Sequence, residues 1–151
     1  MRSQIASRVL LQKKVALDNL DSFAKEILAL LPSSSIVLLN GNLAAGKTTL
    51  VASIVKALDV GASLATSPTF ALQQCYSNSV FHYDFYRVEF EDLVELGLLE
   101  EFEKEGIHLV EWADESLVDL LIRAGFSLFS IGIEFSADGK REYKVEAVDN
   151  A

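Results

Sequence analysis

The 151-residue chain has one cysteine, two prolines and no long apolar run, and its 13 Lys plus Arg are outnumbered by 22 Asp plus Glu. Cys75 has no partner, so a disulfide scaffold is excluded and its thiol is expected to pack as a small apolar group. A chain of this length buries roughly 70% of the surface its unfolded form exposes, enough for a core without cross-links or a structural metal. No stretch approaches the roughly 20 apolar residues of a membrane helix. Met1 to Lys14 has only Val9-Leu10-Leu11 as an apolar centre, so neither a leader nor a membrane segment is expected, and the expected location is cytoplasmic. Without repeats, low-complexity tracts or Pro/Gly-rich linkers, residues 1–151 read as one domain.

The formal net charge of -9 is unevenly placed. Between Asp84 and Asp119 stand 13 acidic residues and two basic ones, Arg87 and Lys104, a local charge of -11. Such a surface repels phosphate backbones, so tight direct binding of RNA or DNA is not expected. It reads as a solvated face or as a docking surface for a basic protein partner.

Hydrophobic spacing supplies the elements. Leu20, Phe23, Ala24, Ile27, Leu28 and Leu31 recur at helical spacing, with Asp18 and Asp21 as candidate caps and Pro32 as the stop. Ile36-Val37-Leu38-Leu39 predicts a strand covered on both faces, and Lys47 to Leu58 a second helix. Phe70 to Tyr76 and Val80 to Tyr86 flank the turn Ser77-Asn78-Ser79 and predict a hairpin, which would bring Thr69 and Asp84 to one sheet edge. Alternation puts His82, Asp84 and Tyr86 on one face of the second arm and Phe81, Tyr83 and Phe85 on the other. Glu91 to Glu105 predicts a short helix broken at Gly97 and followed by an exposed turn. Ile107 to Val110 predicts a strand ending in Glu111 and Trp112, Asp114 to Ala124 a helix, and Phe129 to Ala147 a terminal β-hairpin turning at Asp138-Gly139. Together these give an α/β domain with a mixed parallel and antiparallel sheet.

Gly41-Asn42-Leu43-Ala44-Ala45-Gly46-Lys47-Thr48 fits GxxxxGK[ST] in full, directly after a predicted buried strand and at the start of a predicted helix. The glycines let backbone N–H groups curl around phosphate oxygens, Lys47 reaches the terminal phosphates, and the Thr48 hydroxyl ligates Mg2+. The plain alternative is a glycine turn with a solvated lysine. Hydrolysis further requires a carboxylate for the metal and a group that positions the nucleophile. Asp84 and Glu111 are the candidates, since each stands at or near the end of an apolar strand, where open α/β sheets place their crevice. His82 and His108 lack metal-ligand spacing with Cys75 and read as ordinary strand histidines. Spacing leaves open whether Trp112 packs in the core or lines the nucleotide pocket.

Gly41 to Leu50, Ser67-Pro68-Thr69-Phe70, His82-Tyr83-Asp84-Phe85-Tyr86-Arg87, Glu95-Leu96-Gly97 and Val110-Glu111-Trp112 resemble, in order and spacing, the TsaE (YjeE) family. The resemblance spans about Asp18 to Asp114. It implies a P-loop NTPase-like, three-layer ATPase needed for the threonylcarbamoyladenosine modification of tRNA, acting on the TsaB–TsaD complex and not on tRNA itself. It also implies ATP and Mg2+ as cofactors, with Gly41 through Thr49 (Asn42, Leu43, Ala44, Ala45, Gly46, Lys47, Thr48 and Thr49) cradling the nucleotide. Thr48, Asp84 and Glu111 would serve the metal, and Lys47, Asp84 and Glu111 catalysis. Ser67 to Thr69 would form a switch-like loop near the γ-phosphate, with Trp112 beside the site. Asn42 and Ala44 depart from the family's common GDLGAGKTT, which puts rate and coupling in question more than binding.

Two other readings compete. A nucleotide-binding regulatory subunit with negligible turnover accommodates the loop substitutions. A small-molecule phosphotransferase would need an arginine-bearing lid, for which Asp84 to Asp119 offers only Arg87. NKxD and DxxG motifs are absent, which disfavours a GTPase.

Overall fold

The structure, a computed structural model, describes residues 5–41, 46–58, 72–76 and 79–150. In chain order it runs β1 (Ile5–Val15), a 3-10 turn (Leu17–Asn19), α1 (Leu20–Leu30), β2 (Ser35–Asn40), α2 (Lys47–Ala57), β3 (Gln73–Tyr76) and β4 (Val80–Asp84). It continues with α3 (Phe90–Glu95), α4 (Leu98–Phe102), β5 (Ile107–Glu111), α5 (Glu115–Arg123), β6 (Leu128–Phe135) and β7 (Arg141–Asn150). The sheet order is β1-β7-β6-β2-β5-β4-β3. β6, β2, β5 and β4 form a parallel centre; β3 closes one edge antiparallel, β7 and β1 the other. This is the mixed sheet of a P-loop NTPase-like α/β fold, with a terminal β6–β7 hairpin.

The parallel centre has helices on both faces, which is why β2 reads as an unbroken apolar run and is buried from Ser35 to Leu39. On one face Val37, Leu39, Val80, Ile107, Leu109, Ile131 and Ile133 pack under α1 and α2. On the other, Ile36, Leu38, Phe81, Tyr83 and Val110 pack under α3, α4 and α5. Three layers result.

Several expectations need correction. Neither Asp18 nor Asp21 caps α1: Asn19 precedes the helix, no side chain caps it, and Asp21 instead pairs with Lys56 at 2.7 Å. Asp114 does cap α5, accepting from the Leu117 N–H at 2.9 Å. The second hairpin arm ends at Asp84, not Tyr86: the Phe85 N–H makes the last ladder bond, to the Glu111 carbonyl, but the Tyr86 N–H turns back to Asp84 Oδ1 and Arg87 takes a left-handed φ of 61°. After Gly97, at φ 88°, comes a second short helix with Leu98 and Phe102 buried, where an exposed turn was expected. β1 was not expected at all. It is an edge strand held by its ladder to β7, with a bulge between Val9 and Leu11, and its largely exposed residues carry little alternation to read.

Candidate functional site

The site assembles at the carboxyl ends of the parallel strands, on the face covered by α1 and α2. β2 delivers Gly41, and the chain re-enters the described residues at Gly46, whose φ of 101° is open to glycine and strained for any other residue. Gly46 precedes Lys47, the first residue of α2, and its carbonyl accepts the Leu50 N–H at 3.0 Å. Asn42, Leu43, Ala44 and Ala45 lie outside the described residues, as does Thr69 with the Ser67–Phe70 segment. Thr48 and Thr49 stand exposed in the first turn of α2.

Lys47 is only 3% exposed. Its Nζ donates to the Gly41 carbonyl at 2.9 Å and sits 3.7 Å from the centre of the Trp112 ring. Burial lowers the pKa of its ammonium, while the nearby Glu111 and Asp84 carboxylates push it back up. Trp112 thus does both things that its spacing left open: it lies against Lys47 and also packs on the core cluster of Ile36, Leu38 and Val110. It is half-buried, its backbone is held at φ 63°, and its ring also meets Tyr86 at 5.0 Å. A non-glycine residue in this region stores strain of order 1 kcal/mol, and here the conformation sets the ring under the lysine.

Asp84 and Glu111 are direct neighbours on the parallel β4–β5 ladder, and Glu111 in turn neighbours Leu39 of β2. Both carboxylates share the sheet face of Val80, Ile107 and Leu109, the face α2 covers. Their environments differ. Asp84 is exposed, and its Oδ1 accepts the Tyr86 N–H at 3.1 Å. Glu111 is 5% exposed, with its Oε2 2.5 Å from His82 Nε2. With Glu111 ionised, His82 carries the proton on Nε2 and donates it.

Among the described residues no three His, Cys, Asp or Glu gather into a metal cage. Two adjacent carboxylates beside a lysine suit Mg2+, which takes oxygen ligands and keeps waters in its shell, so the residues present fit that ion.

His82 is more than an ordinary strand histidine, because its ring anchors Glu111. The signal was its place two residues before Asp84 on the same face. His108 is structural: its Nε2–H donates to the Lys104 carbonyl at 2.8 Å, and its Nδ1 accepts the Tyr83 hydroxyl at 2.8 Å. Cys75 is buried, its thiol donating to Gln73 Oε1 at 3.1 Å. No described helix is long and apolar enough to cross a membrane.

Comparison with known proteins gives a consistent result. The family model described as threonylcarbamoyl adenosine biosynthesis protein TsaE matches residues 15–143. The chain is 33% identical over 135 residues to the tRNA threonylcarbamoyladenosine biosynthesis protein TsaE of Bacillus subtilis, covering 85% of this chain and 80% of that protein. It is 39% identical over 97 residues to the protein of the same name from Rickettsia bellii, covering 62% and 67%. To that of Aquifex aeolicus it is 42% identical over 95 residues, covering 60% and 67%.

Proposed function

The chain belongs to the TsaE family, and from that premise we propose that it is a Mg2+-dependent ATPase of tRNA threonylcarbamoyladenosine biosynthesis, working as a single domain and acting on a TsaB–TsaD complex. One observation carries the reading. Lys47 is held, buried, between a loop carbonyl and an indole ring, on the same sheet face as the adjacent carboxylates Asp84 and Glu111.

The division of labour follows from burial. Exchanging the Gly41 carbonyl for a phosphate oxygen gives Lys47 a charged partner in place of a neutral one, so ligand entry is electrostatically favoured. Asp84, exposed beside the Thr48 end of α2, is the carboxylate free to reach the metal. Mg2+, when bound, neutralises charge on the terminal phosphates. Glu111, buried and held by His82, is suited to orient or deprotonate the attacking water, because its position is fixed before the reaction. The exposed acids of α3, α4 and the turns around them form a surface for a basic protein partner and repel tRNA.

The test is ATP hydrolysis measured with and without purified TsaB and TsaD. Turnover that requires Mg2+ and rises with the pair supports the proposal. Stabilisation by MgATP with no turnover under either condition turns the protein into a regulatory nucleotide binder. Phosphate transfer to a small alcohol in preference to water would make it a kinase.

A further inference from the structure

Resting on the nucleotide reading above, we infer that Arg141 and Phe135, at the mouth of the β6–β7 hairpin, form the subsite for the nucleoside end of the nucleotide. Arg141 takes the inner phosphates, and Phe135 is the platform on which the purine stacks.

The metal-binding carboxylates stand on β5 and β4, to one side of β2. A metal held by these carboxylates would lie to that side of β2, and β6 and β7 flank β2 on the other, where the remainder of a nucleotide would have room. There Phe135 and Arg141 are direct partners on the antiparallel ladder. Alternation from Ile131 and Ile133 places Phe135, and from Tyr143 and Val145 places Arg141, on the face that α2 covers. Phe135 is 59% exposed, at odds with its size and with the buried Ile131 and Ile133 of its own strand. The Arg141 guanidinium lies 5.0 Å from its ring centre, leaving much of the ring open.

Arg141 also reaches the phosphate loop. A Cβ at Gly46 would lie 2.9 Å from Arg141 Nε and 3.1 Å from its Cζ. The Tyr143 hydroxyl engages the guanidinium, yet Nε is buried and finds no acceptor among the described residues. A buried charged donor without an acceptor is costly, and phosphate oxygens are the acceptors that Arg matches best.

Calorimetric titration with MgADP and with magnesium tripolyphosphate, which has no nucleoside, tests the assignment without reference to turnover. Phe135→Ala is expected to weaken MgADP binding about tenfold, the scale of one lost base stack, and to leave tripolyphosphate unchanged, while Phe135→Tyr retains both. Arg141→Gln is expected to weaken both ligands about tenfold, with Arg141→Lys recovering part of the loss. Unchanged MgADP affinity in Phe135→Ala, or an equal loss for tripolyphosphate, overturns the base platform. Unchanged affinities in Arg141→Gln overturn the phosphate role. If the wild type binds neither ligand, the ATPase reading itself has failed, an outcome distinct from a variant that matches a wild type which binds.

Discussion

His82 Nε2 stands 2.5 Å from Glu111 Oε2 although the two residues are not paired on the ladder, where His82 faces Leu109 and Glu111 faces Asp84. The imidazole leans along the sheet to hold the buried carboxylate. Such supporting partners typically change rates 10–100-fold. His82→Ala is therefore expected to slow ATP hydrolysis by about that factor while leaving nucleotide affinity nearly intact, with His82→Gln, which keeps a donor, recovering part of the rate. Steady-state hydrolysis beside calorimetric affinity separates the two effects, and a loss confined to binding contradicts the role.

Lys47→Ala and Asp84→Ala are each expected to lower Mg2+-dependent hydrolysis at least about a hundredfold, the scale of removing one preorganised charge from a phosphoryl-transfer site. Wild-type turnover in Asp84→Ala would remove Asp84 from the site.

Trp112 is the only tryptophan in the chain, and the Lys47 ammonium rests on its ring. On the proposed reading Lys47 would turn to phosphate on nucleotide binding and the indole would lose that cation. Titration with MgADP should shift or change the intensity of tryptophan emission, and Lys47→Met should abolish most of the change. Emission unaltered at saturating nucleotide contradicts the placement.

His108 supplies a pH dependence. Burial lowers its pKa below the ordinary 6.5 and outweighs the Lys104 carbonyl, which favours the charged ring, while the bond that Nδ1 accepts from the Tyr83 hydroxyl is made only by the neutral form. Below pH 6.5 the unfolded chain takes up this proton before the folded one, so stability falls with acidification, by up to about 1.4 kcal/mol per pH unit. Above that pH the contribution is fully present. Urea melts of wild type and His108→Gln between pH 5 and about pH 7.5 check this. The variant is expected to be less stable near neutrality but with a shallower acid slope, and parallel slopes would refute the assignment.

Gly106 tests the fold. Its φ is 135°, and a Cβ there would lie 2.3 Å from the Ser79 carbonyl oxygen, a backbone atom that cannot turn aside. Gly106→Ala is expected to cost at least about 1–3 kcal/mol. Gly125→Ala, at φ 84° with open space around it, should cost less, near 1 kcal/mol. Denaturant midpoints of the two variants compare them directly.

Much of this architecture is legible in residue order. The unbroken apolar run of β2 comes from burial on both of its faces, and the period-two pattern of β6 and β7 and the spacing of α1 and α5 come from burial of one face of each element, so hydrophobic patterning reports them. Elements whose support lies elsewhere were not legible. β1 is mostly exposed and exists through its ladder to β7, near the other end of the chain. α4 is too short for a periodic signal and depends on Leu98 and Phe102 meeting the core.

Residue order alone determined that a strand, a glycine-bounded loop and a helix beginning at Lys47 follow one another, and that Asp84 and Glu111 end their strands, because each of these is a local matter. Tertiary structure decided that β5 lies between β2 and β4. That order sets Glu111 beside Asp84, puts His82 within reach of Glu111, lays Trp112 under Lys47, and brings Arg141 against Gly46. The reason is that strand order is set by how two whole faces of the sheet bury their apolar surface at once, a balance that no short stretch of residues contains.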